Sequence, residues 1–251
     1  MLRISLRETL CLHELRIALL SYVFAKQTNH PLIVRLEGND EETLEMLLLF
    51  GISYQHLYYQ KDNFKYHLQF ASTLLDRKKA FICFCPEDKA SPYDGACEHL
   101  SSDEILNTPH PFVIRMKTEP ISDSFVIMAR NKYPTYTFAC ACDDMLQGVS
   151  TIIQDEAYLQ NSPKEELIRH AIGYDQAISY THLPTIHEDE KSVQWLLDQG
   201  YMPEAIVNYL LLLSTPTPTE IFTLEEALLW FYIATISKDS VYRSEERRVG
   251  K

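Results

Sequence analysis

Short apolar runs rich in β-branched residues alternate with amphipathic segments along most of the chain. Pro31–Glu37 and Ala80–Phe84 are typical of buried strands, whereas Leu10–Lys26 carries apolar residues at the spacing of a helix. Strands that alternate with helices form a parallel sheet, because each crossover helix returns the chain to the edge where the previous strand began. The sequence therefore predicts an α/β fold.

The other periodic segments follow the same scheme as far as Lys191. Further strands are predicted at Pro111–Met116, Ser124–Met128 and Val149–Gln154. Further helices are predicted at Asp40–Phe50, Asn63–Lys79, Thr135–Leu146 and Pro163–Ile172. Pro86–Thr108 follows neither period and is expected to be an irregular insertion. Beyond Lys191 only helices are predicted, at Lys191–Gln199, Pro203–Leu213 and Leu224–Ile236.

The composition excludes several classes of protein. Of the 251 residues, 46% are hydrophobic and 23% are charged, which is ordinary for a chain that buries a core. The chain has no apolar run of about 18 residues, as a membrane span requires, and its charged N-terminus does not resemble a secretory signal. Six cysteines do not make a disulfide scaffold in a chain of this length. A cytoplasmic protein without a membrane segment is expected.

Charge and glycine content limit how the chain can bind polyanions. The formal net charge is −12, so nucleic acid must be bound by a local basic patch, for which Arg130, Lys132 and Lys164 are candidates. The seven glycines begin only at Gly38, after a complete strand and helix. A glycine-rich phosphate loop at the first strand-to-helix turn is therefore excluded.

The C-terminal segment Arg243–Lys251 (RSEERRVGK) does not continue the helical periodicity that precedes it. The string is similar to the in-frame translation of a sequencing adapter, and a solvated charged tail is the alternative. It is therefore left out of the predicted fold, and the natural chain is expected to continue beyond Tyr242.

Two closely spaced pairs of soft ligands suggest a metal site. Cys83 and Cys85 follow a predicted strand, and Cys97 and His99 follow after a short loop. Two such pairs can close a tetrahedral structural zinc site, and chance proximity of thiol and imidazole groups is the alternative. Cys140 and Cys142 lie on a predicted helix among apolar residues, where buried packing is expected.

Several motifs together resemble a known enzyme family. The segment Tyr133–Asp144 (YPTYTFACACDD) resembles the PTY…DD segment of bacterial glutamyl-tRNA synthetases, in a variant similar to the copies of ε-type proteobacteria. Other segments are also similar to this family: Ile33–Glu37, Pro92–His99, Asp123–Met128, Ser192–Leu213 and Glu220–Trp230. The resemblance covers essentially residues 1–236.

The resemblance implies a Rossmann-like class I aminoacyl-tRNA synthetase catalytic domain with a zinc-loop insertion and appended helices, acting as a monomer. The first half of the catalytic domain is expected at residues 1–79 and the second half at 124–190. Between them, 80–123 is expected to form the zinc-loop and acceptor-binding insertion. Residues 191–242 are expected to form a truncated helical stem-contact region, and 243–251 the adapter artefact.

In this family the carboxylate of glutamate attacks the α-phosphate of ATP, pyrophosphate leaves, and the activated acyl group passes to the terminal ribose of the tRNA. The implied substrates are ATP with Mg²⁺, glutamate and the tRNA for glutamate, and the implied structural cofactor is zinc. The family binds the phosphates with a HIGH motif at a helix N-terminus and stabilises the leaving pyrophosphate with a lysine-bearing KMSKS loop.

Both ATP-binding motifs depart from the family pattern. At the first, the chain reads His13-Glu14-Leu15-Arg16, apparently two residues shorter than the family segment, and the preceding turn has lost its prolines and glycine. His13 matches the first histidine of the motif, and an ordinary half-exposed residue is the alternative. At the second, only Ile186–Lys191 remains, and Lys191 is its single cation. His13 and Lys191 are therefore the implied catalytic residues.

The glutamate site departs as well. The family segment I-I-R-G-(E/D)-D-H-L corresponds to Ile152–Leu159, so that Gln154 stands in place of the arginine that pairs the substrate carboxylate. Arg3, Glu37 and Tyr136 still match family positions around the amino acid. Local pairing of Glu37 and core packing of Tyr136 are the alternatives. The implied substrate-binding residues are Arg3, Glu37, Tyr136 and Gln154.

Three hypotheses follow from these departures. The chain is a functional glutamate–tRNA ligase, or a relative that transfers glutamate to a modified tRNA base. Alternatively, it is a non-catalytic pseudoenzyme that binds tRNA or a protein partner. In the third hypothesis it is a decaying gene fragment. Loss of charge at three sites predicts weak or absent activity, whereas the intact apolar periodicity argues against decay.

Overall fold

Two units make up the chain in this computed structural model, which describes residues 1–6, 9–38, 41–85, 93–187, 192–236 and 241–242. The first unit consists of Met1–Lys61, Gly148–Gln160 and Ile178–Lys251. The second consists of Asp62–Gln147 and Asn161–Ala177. Each unit has its own hydrophobic core. The predicted adapter segment lies outside the described residues.

A five-stranded parallel sheet lies in the first unit, as the alternating pattern predicts. Its strands are β1 (Leu2–Leu6), β2 (Leu32–Leu36), β3 (His56–Tyr59), β7 (Thr151–Asp155) and β8 (Ser179–Leu183), in the order β3-β2-β1-β7-β8. Every neighbouring pair is parallel. The order reverses between β1 and β7, as in doubly wound sheets, so the Rossmann-like prediction is confirmed. A short parallel pair also joins β9 (Ile186–His187) to β10 (Val241–Tyr242).

The two faces of this sheet differ in chemistry. Because side chains alternate along a strand, Leu2, Ile4 and Leu6 of β1 point to one face and Arg3 and Ser5 to the other. The leucines and the isoleucine belong to the main core, together with residues from the helices of this unit. These helices are α1 (Leu12–Thr28), α2 (Glu41–Leu49), α7 (Val193–Asp198), α8 (Pro203–Ser214) and α9 (Leu224–Trp230). Among the described residues, no helix is both long and apolar enough to cross a membrane.

A buried arginine fastens α1 to its surroundings. Arg16 is fully buried, and its Nε donates to the hydroxyl oxygen of Ser214 in α8 at 2.8 Å. Its Nη1 donates to the carbonyl oxygen of Pro184, just after β8, at 2.8 Å. Burial lowers the pKa of Arg16, and the charge of Asp155 acts in the opposite direction. The guanidinium therefore links three separate parts of the chain inside the core.

The second unit contains an antiparallel sheet. Its strands are β4 (Ala80–Cys83), β5 (Val113–Met116) and β6 (Phe125–Met128), in that order. The three strands were predicted at these positions, with β4 and β5 in the expected insertion and β6 in the expected second half of the catalytic domain. Both neighbouring pairs are antiparallel, unlike the pairs of the sheet in the first unit.

The second unit also contains four helices. They are α3 (Phe64–Asp76), α4 (Ser102–Asn107), α5 (Tyr136–Leu146) and α6 (Ser162–Ile172). A buried polar contact joins two of them, since the His67 Nε2 of α3 lies 2.8 Å from the Asp143 Oδ1 of α5. Cys140 and Cys142 are fully buried in α5, as the packing interpretation expects.

The sequence analysis missed β3, β8, β9, β10 and α4, and it predicted the last helix too long. β3 and β8 are largely polar strands at the two edges of the parallel sheet, so they lack the apolar run that marks β1 or β2. The short helix α4 lies inside the insertion expected to be irregular. The helix predicted at Leu224–Ile236 ends at Trp230, because Phe231 adopts an extended conformation.

The core of the first unit allows a test of its packing. Leu19 of α1 is 0% exposed, whereas Leu48 of α2 is 60% exposed. We expect Leu19→Ala to lower the free energy of unfolding by about 2–5 kcal/mol, because it leaves a cavity. The matched control Leu48→Ala is expected to change it by less than about 0.5 kcal/mol. Urea denaturation followed by circular dichroism measures both; equal losses would contradict the described core.

Candidate active site

A polar face of the parallel sheet carries two buried arginines. This polar face is the side to which Arg3, Ser5, Arg35, Gln154 and His182 belong, as the strand register requires. The Nη1 of Arg3 donates to the Ser5 hydroxyl at 2.7 Å, and the Nη1 of Arg35 approaches the same oxygen at 3.4 Å. The Nη2 of Arg35 donates to the side-chain oxygen of Gln60 at 2.7 Å. The structure thus holds two fixed cations in one row.

Glu37 lies just beyond the end of β2 and pairs locally. Its Oε1 is 3.8 Å from the Nη1 of Arg35, and its backbone N–H donates to the carbonyl oxygen of Leu6 at 3.1 Å. The carboxylate therefore lies at the carboxyl edge of the sheet, close to the buried arginines. The structure brings Arg3, Glu37 and Arg35 together in the first unit.

Gln154 forms a neutral pair on the same face. Its Nε2 lies 3.1 Å from the Nε2 of His182, which is opposite it on β8. Burial lowers the pKa of His182, although the charge of Asp155 acts in the opposite direction. A histidine with a lowered pKa is neutral at pH 7, so its ring nitrogen accepts the hydrogen bond from the Gln154 amide. Neither partner supplies a positive charge at this end of β7.

On the opposite face, His13 contacts the last residue of β7. Its Nε2 is in direct contact with the Oδ2 of Asp155. The Asp155 Oδ1 also accepts hydrogen bonds from the Thr185 hydroxyl at 2.8 Å and from the Ala157 N–H at 2.5 Å. Burial acts to raise the pKa of Asp155, but the contacts with His13, Ala157 and Thr185 together hold this pKa below its ordinary value. Asp155 is therefore a buried carboxylate with several donors.

The first turn of α1 contains a second carboxylate. The Cys11 N–H donates to the Oε2 of Glu14 at 3.2 Å, and the Cys11 sulfur accepts from the Glu14 N–H at 3.4 Å. This reciprocal pair is a capping box. Burial, with a smaller contribution from the Glu14 charge, raises the pKa of the Cys11 thiol to about 11. Glu14 thus places its charge at the helix N-terminus.

Asp155 was missed in the sequence analysis. It lies within the segment compared with I-I-R-G-(E/D)-D-H-L, opposite the glycine of that motif. An acid in place of a glycine at the end of a buried strand is a signal that could have identified it. Its contact with His13 could not have been read from the sequence, because the two residues are 142 positions apart and local patterns carry no information on which distant segments meet.

For two of the predicted residues, the predicted role stays a prediction. Tyr136 is the first residue of α5 in the second unit and is partly buried there. Lys191 lies outside the described residues, so the predicted catalytic role of this lysine stays a prediction.

Three cysteines of the second unit lie together. The sulfur atoms of Cys83, Cys85 and Cys97 are all within 4.8 Å of one another, and those of Cys85 and Cys97 are 3.7 Å apart. The Tyr93 hydroxyl lies 3.6 Å from the Cys83 sulfur and accepts the Cys97 N–H at 2.9 Å. Three thiols at this separation are a donor set that suits a zinc ion.

His99 lies apart from the three cysteines, and its predicted role as the fourth ligand stays a prediction. Its side chain is 84% exposed, and its Nε2 lies 3.7 Å from the Oε2 of Glu98. A turn closes from the carbonyl oxygen of Gly95 to the N–H of Glu98 at 3.0 Å. This turn directs Cys97 inward and leaves His99, two residues later, in solvent.

The surroundings of Cys83 favour its thiolate, whereas those of Cys85 favour the thiol. Burial acts to raise the pKa of Cys83, but hydrogen bonds from Tyr93, the backbone of Cys85 and Arg115 together lower it below the ordinary value. Burial and the neighbouring thiols raise the pKa of Cys85 to about 11. Arg130 supports the same strand end, since its Nη2 donates to the carbonyl oxygen of Cys85 at 2.8 Å.

The remaining basic candidates contact aromatic rings. The Nζ of Lys132 lies 3.3 Å from the centre of the Phe112 ring, and that of Lys164 lies 5.4 Å from the Phe125 ring. Cations over ring faces are stabilised by the ring quadrupole. These lysines and Arg130 therefore make contacts within the second unit.

Comparison with known proteins gives consistent matches. Residues 9–108 and 102–246 match the family described as tRNA synthetases class I (E and Q), catalytic domain. The chain is 43% identical over 284 residues to glutamate--tRNA ligase 1 of Campylobacter fetus subsp. fetus (strain 82-40), covering 93% of this chain and 66% of that protein. It is 44% identical over 275 residues to glutamate--tRNA ligase 1 of Campylobacter jejuni subsp. jejuni (strain 81116), covering 90% and 64%. The chain thus spans slightly less than two thirds of these relatives.

Solved structures share the fold. The glutamate-tRNA synthetase of Elizabethkingia anophelis has a TM-score of 0.83 at 20% identity, covering 98% of this chain and 68% of that one. A glutamate tRNA ligase from Elizabethkingia meningosepticum, in complex with its amino acid, has a TM-score of 0.84 at 20% identity and covers 98% and 67%.

The contacts of Asp155 predict a pH dependence of stability. The pKa of Asp155 is lower in the folded chain than its ordinary value of 3.8. The ionised carboxylate therefore adds to the free energy of unfolding at pH values above 3.8. The contribution is lost as the pH falls through the folded pKa. We expect Asp155→Asn to lower the free energy of unfolding at pH 7 by about 1–3 kcal/mol.

Urea denaturation of both proteins at a series of pH values measures this difference. The difference in free energy of unfolding should be largest at pH 7 and should decrease below about pH 4. Asp175→Asn is the matched control, because Asp175 also pairs with a histidine, His170, but at the surface. A difference that grows as the pH falls would contradict the described contacts.

Proposed function

This chain belongs to the class I tRNA synthetases for glutamate and glutamine, and from that premise we propose that it is a glutamate–tRNA ligase with an impaired activation site. The proposed reaction is the ATP-dependent attachment of L-glutamate to its tRNA in the cytoplasm, by a monomer. The nucleotide is bound as its Mg²⁺ complex. The impairment concerns both the amino-acid site and the nucleotide site.

The observation that carries this proposal is the neutral pair of Gln154 and His182. An arginine binds a carboxylate with two parallel charge-assisted hydrogen bonds, whereas the side-chain amide of a glutamine donates only from one uncharged NH2 group. Gln154 therefore holds the substrate carboxylate more weakly than the arginine of the family motif. Arg3 remains on the same face and is proposed to supply the residual positive charge.

The nucleotide site supports the same conclusion. His13 contacts Asp155 and Glu14 caps the start of α1, so two carboxylates lie where the family motif places phosphates. The alignment with the Campylobacter fetus relative runs over 284 positions, more than the 251 residues of this chain. That relative therefore contains residues without a counterpart here, which agrees with a shortened motif near Ile186–Lys191.

A non-catalytic protein that binds tRNA or a protein partner is the alternative function. It is favoured by the combination of a weakened activation site with an intact core and an assembled cysteine cluster. Decay without function does not account for that combination, because random substitution would have damaged the buried packing first.

A structural zinc ion is part of the proposal. Cys83, Cys85 and Cys97 are proposed to bind it as thiolates, with the Tyr93 hydroxyl beside them. Such an ion stabilises a loop that has little core of its own, and it orders the strand end at Cys85.

The first test measures glutamate activation directly. We expect glutamate-dependent ATP–pyrophosphate exchange to be at least about 100-fold slower than that of the Campylobacter fetus relative, since a positioned donor is missing. Calorimetric titration with a non-hydrolysable glutamyl-adenylate analogue measures binding in parallel. Exchange at the rate of the relative would contradict the impairment.

Gln154→Arg restores the missing guanidinium. We expect it to tighten binding of the same analogue by about tenfold or more, because a bidentate charged pair replaces a neutral contact. Gln176→Arg adds the same charge at an exposed position and is expected to have no effect. Equal affinities in all three proteins would mean that position 154 does not contact the substrate carboxylate.

Loss of His99 and loss of a clustered cysteine are expected to have different effects on the zinc content. We expect the wild-type protein and His99→Ala to retain one zinc ion per chain, because the imidazole lies in solvent, and Cys97→Ser to lose it. Cys142→Ser is the control for loss of a buried thiol outside the cluster. Elemental analysis after gel filtration measures the content; zinc lost from His99→Ala alone would overturn the three-cysteine assignment.

A further inference from the structure

The place where the strand order reverses is the usual ligand site of a doubly wound sheet. Here the order reverses between β1 and β7, and ligands of such sheets bind in the crevice outside the carboxyl ends of those strands. α1 begins beside that crevice, and the N-terminus of a long helix attracts anions. An anionic ligand such as a nucleoside triphosphate is therefore the class that this position suits.

The chain places its own anions there. Asp155 ends β7, and its Oδ2 is in direct contact with the Nε2 of His13 in the first turn of α1. The carboxylate of Glu14, the next residue, accepts a hydrogen bond from the N–H of Cys11 at the start of the same helix. The side chains of His13 and Asp155 are 18% and 3% exposed, so their contact is largely closed to solvent.

Asp155 is also held firmly in this position. Its Oδ1 accepts from the Thr185 hydroxyl and from the Ala157 N–H, at 2.8 Å and 2.5 Å. The first donor comes from the segment after β8, and the second from the turn that follows β7. These bonds leave the carboxylate no easy alternative position, so a bound phosphate would meet a fixed negative charge.

We propose that Asp155 is a built-in anion that takes the place of nucleotide phosphates beside His13 and thereby sets the affinity of this edge for nucleoside triphosphates. The inference rests on the proposed function only for the choice of ATP as the probe. Without the acid, the strand end and the helix N-terminus would attract phosphate. In this proposal one buried side chain therefore lowers the affinity of the edge for phosphate groups.

Nucleotide binding by Asp155 variants tests this inference. ATP, and separately inorganic triphosphate, is titrated calorimetrically into the wild-type protein, Asp155→Gly and Asp155→Asn, without glutamate. We expect Asp155→Gly to bind ATP at least about tenfold more tightly than the wild-type protein. Asp155→Asn should show a smaller gain in the same direction, because it removes the charge and keeps the side chain. Inorganic triphosphate should follow the same order, since the effect concerns phosphate.

A control variant distinguishes an effect of position 155 on ATP affinity from a general effect of removing an acidic side chain. Asp175→Gly removes the surface partner of His170 and is expected to leave ATP affinity unchanged. Asp155→Asn retains an oxygen for Thr185 and Ala157, so it keeps the inference testable if the glycine variant does not fold. Circular dichroism and the thermal midpoint establish folding for each variant.

Two results would overturn the inference. One is ATP binding by the wild-type protein as tight as by Asp155→Gly, and the other is no gain in a folded Asp155→Asn. Failure of the proposed function is a different result, namely rapid glutamate-dependent exchange by the wild-type protein. An inactive wild-type protein whose nucleotide affinity ignores position 155 would keep the proposed function and refute this inference.

Discussion

The hydrogen bonding of β1 to strands on both of its sides is the constraint on which the first unit depends. Leu2 pairs with Leu32 of β2 on one side and with Thr151 of β7 on the other. β7 comes from a distant part of the chain, so this pairing joins the segment Met1–Lys61 of the unit to Gly148–Gln160. Because side chains alternate along β1, the same strand supplies an apolar face to α1 and the Arg3–Ser5 row to the polar face.

Two consecutive residues of β7 show what this alternation does to the site. Gln154 points to the polar face and pairs with His182, whereas Asp155 points to the other face and contacts His13. In the proposed function, the first leaves a position without the positive charge that a carboxylate substrate needs, and the second adds a negative charge where phosphates would bind. Both are proposed to weaken activation, but they act on different substrates and can be tested separately.

The cysteine cluster depends on a different kind of structure. It is formed by a strand end and a tight turn in the second unit, and it needs no register with the parallel sheet. The spacing of Cys83, Cys85 and Cys97 made this cluster visible in the sequence, because local geometry suffices to bring them together. The same spacing also predicted His99 as a ligand, whereas the turn leaves its imidazole 84% exposed.

Periodicity and short-range signals were enough to predict the α/β class, the buried strands, the C-terminal helices and the proximity of the three cysteines. They were enough because burial and turn formation depend on neighbouring residues. The edge strands β3 and β8, the antiparallel pairing of β4 to β6 and the contact of Asp155 with His13 were decided by the tertiary structure. Each of these depends on which distant segment lies alongside, and local side-chain patterns carry no information about that pairing.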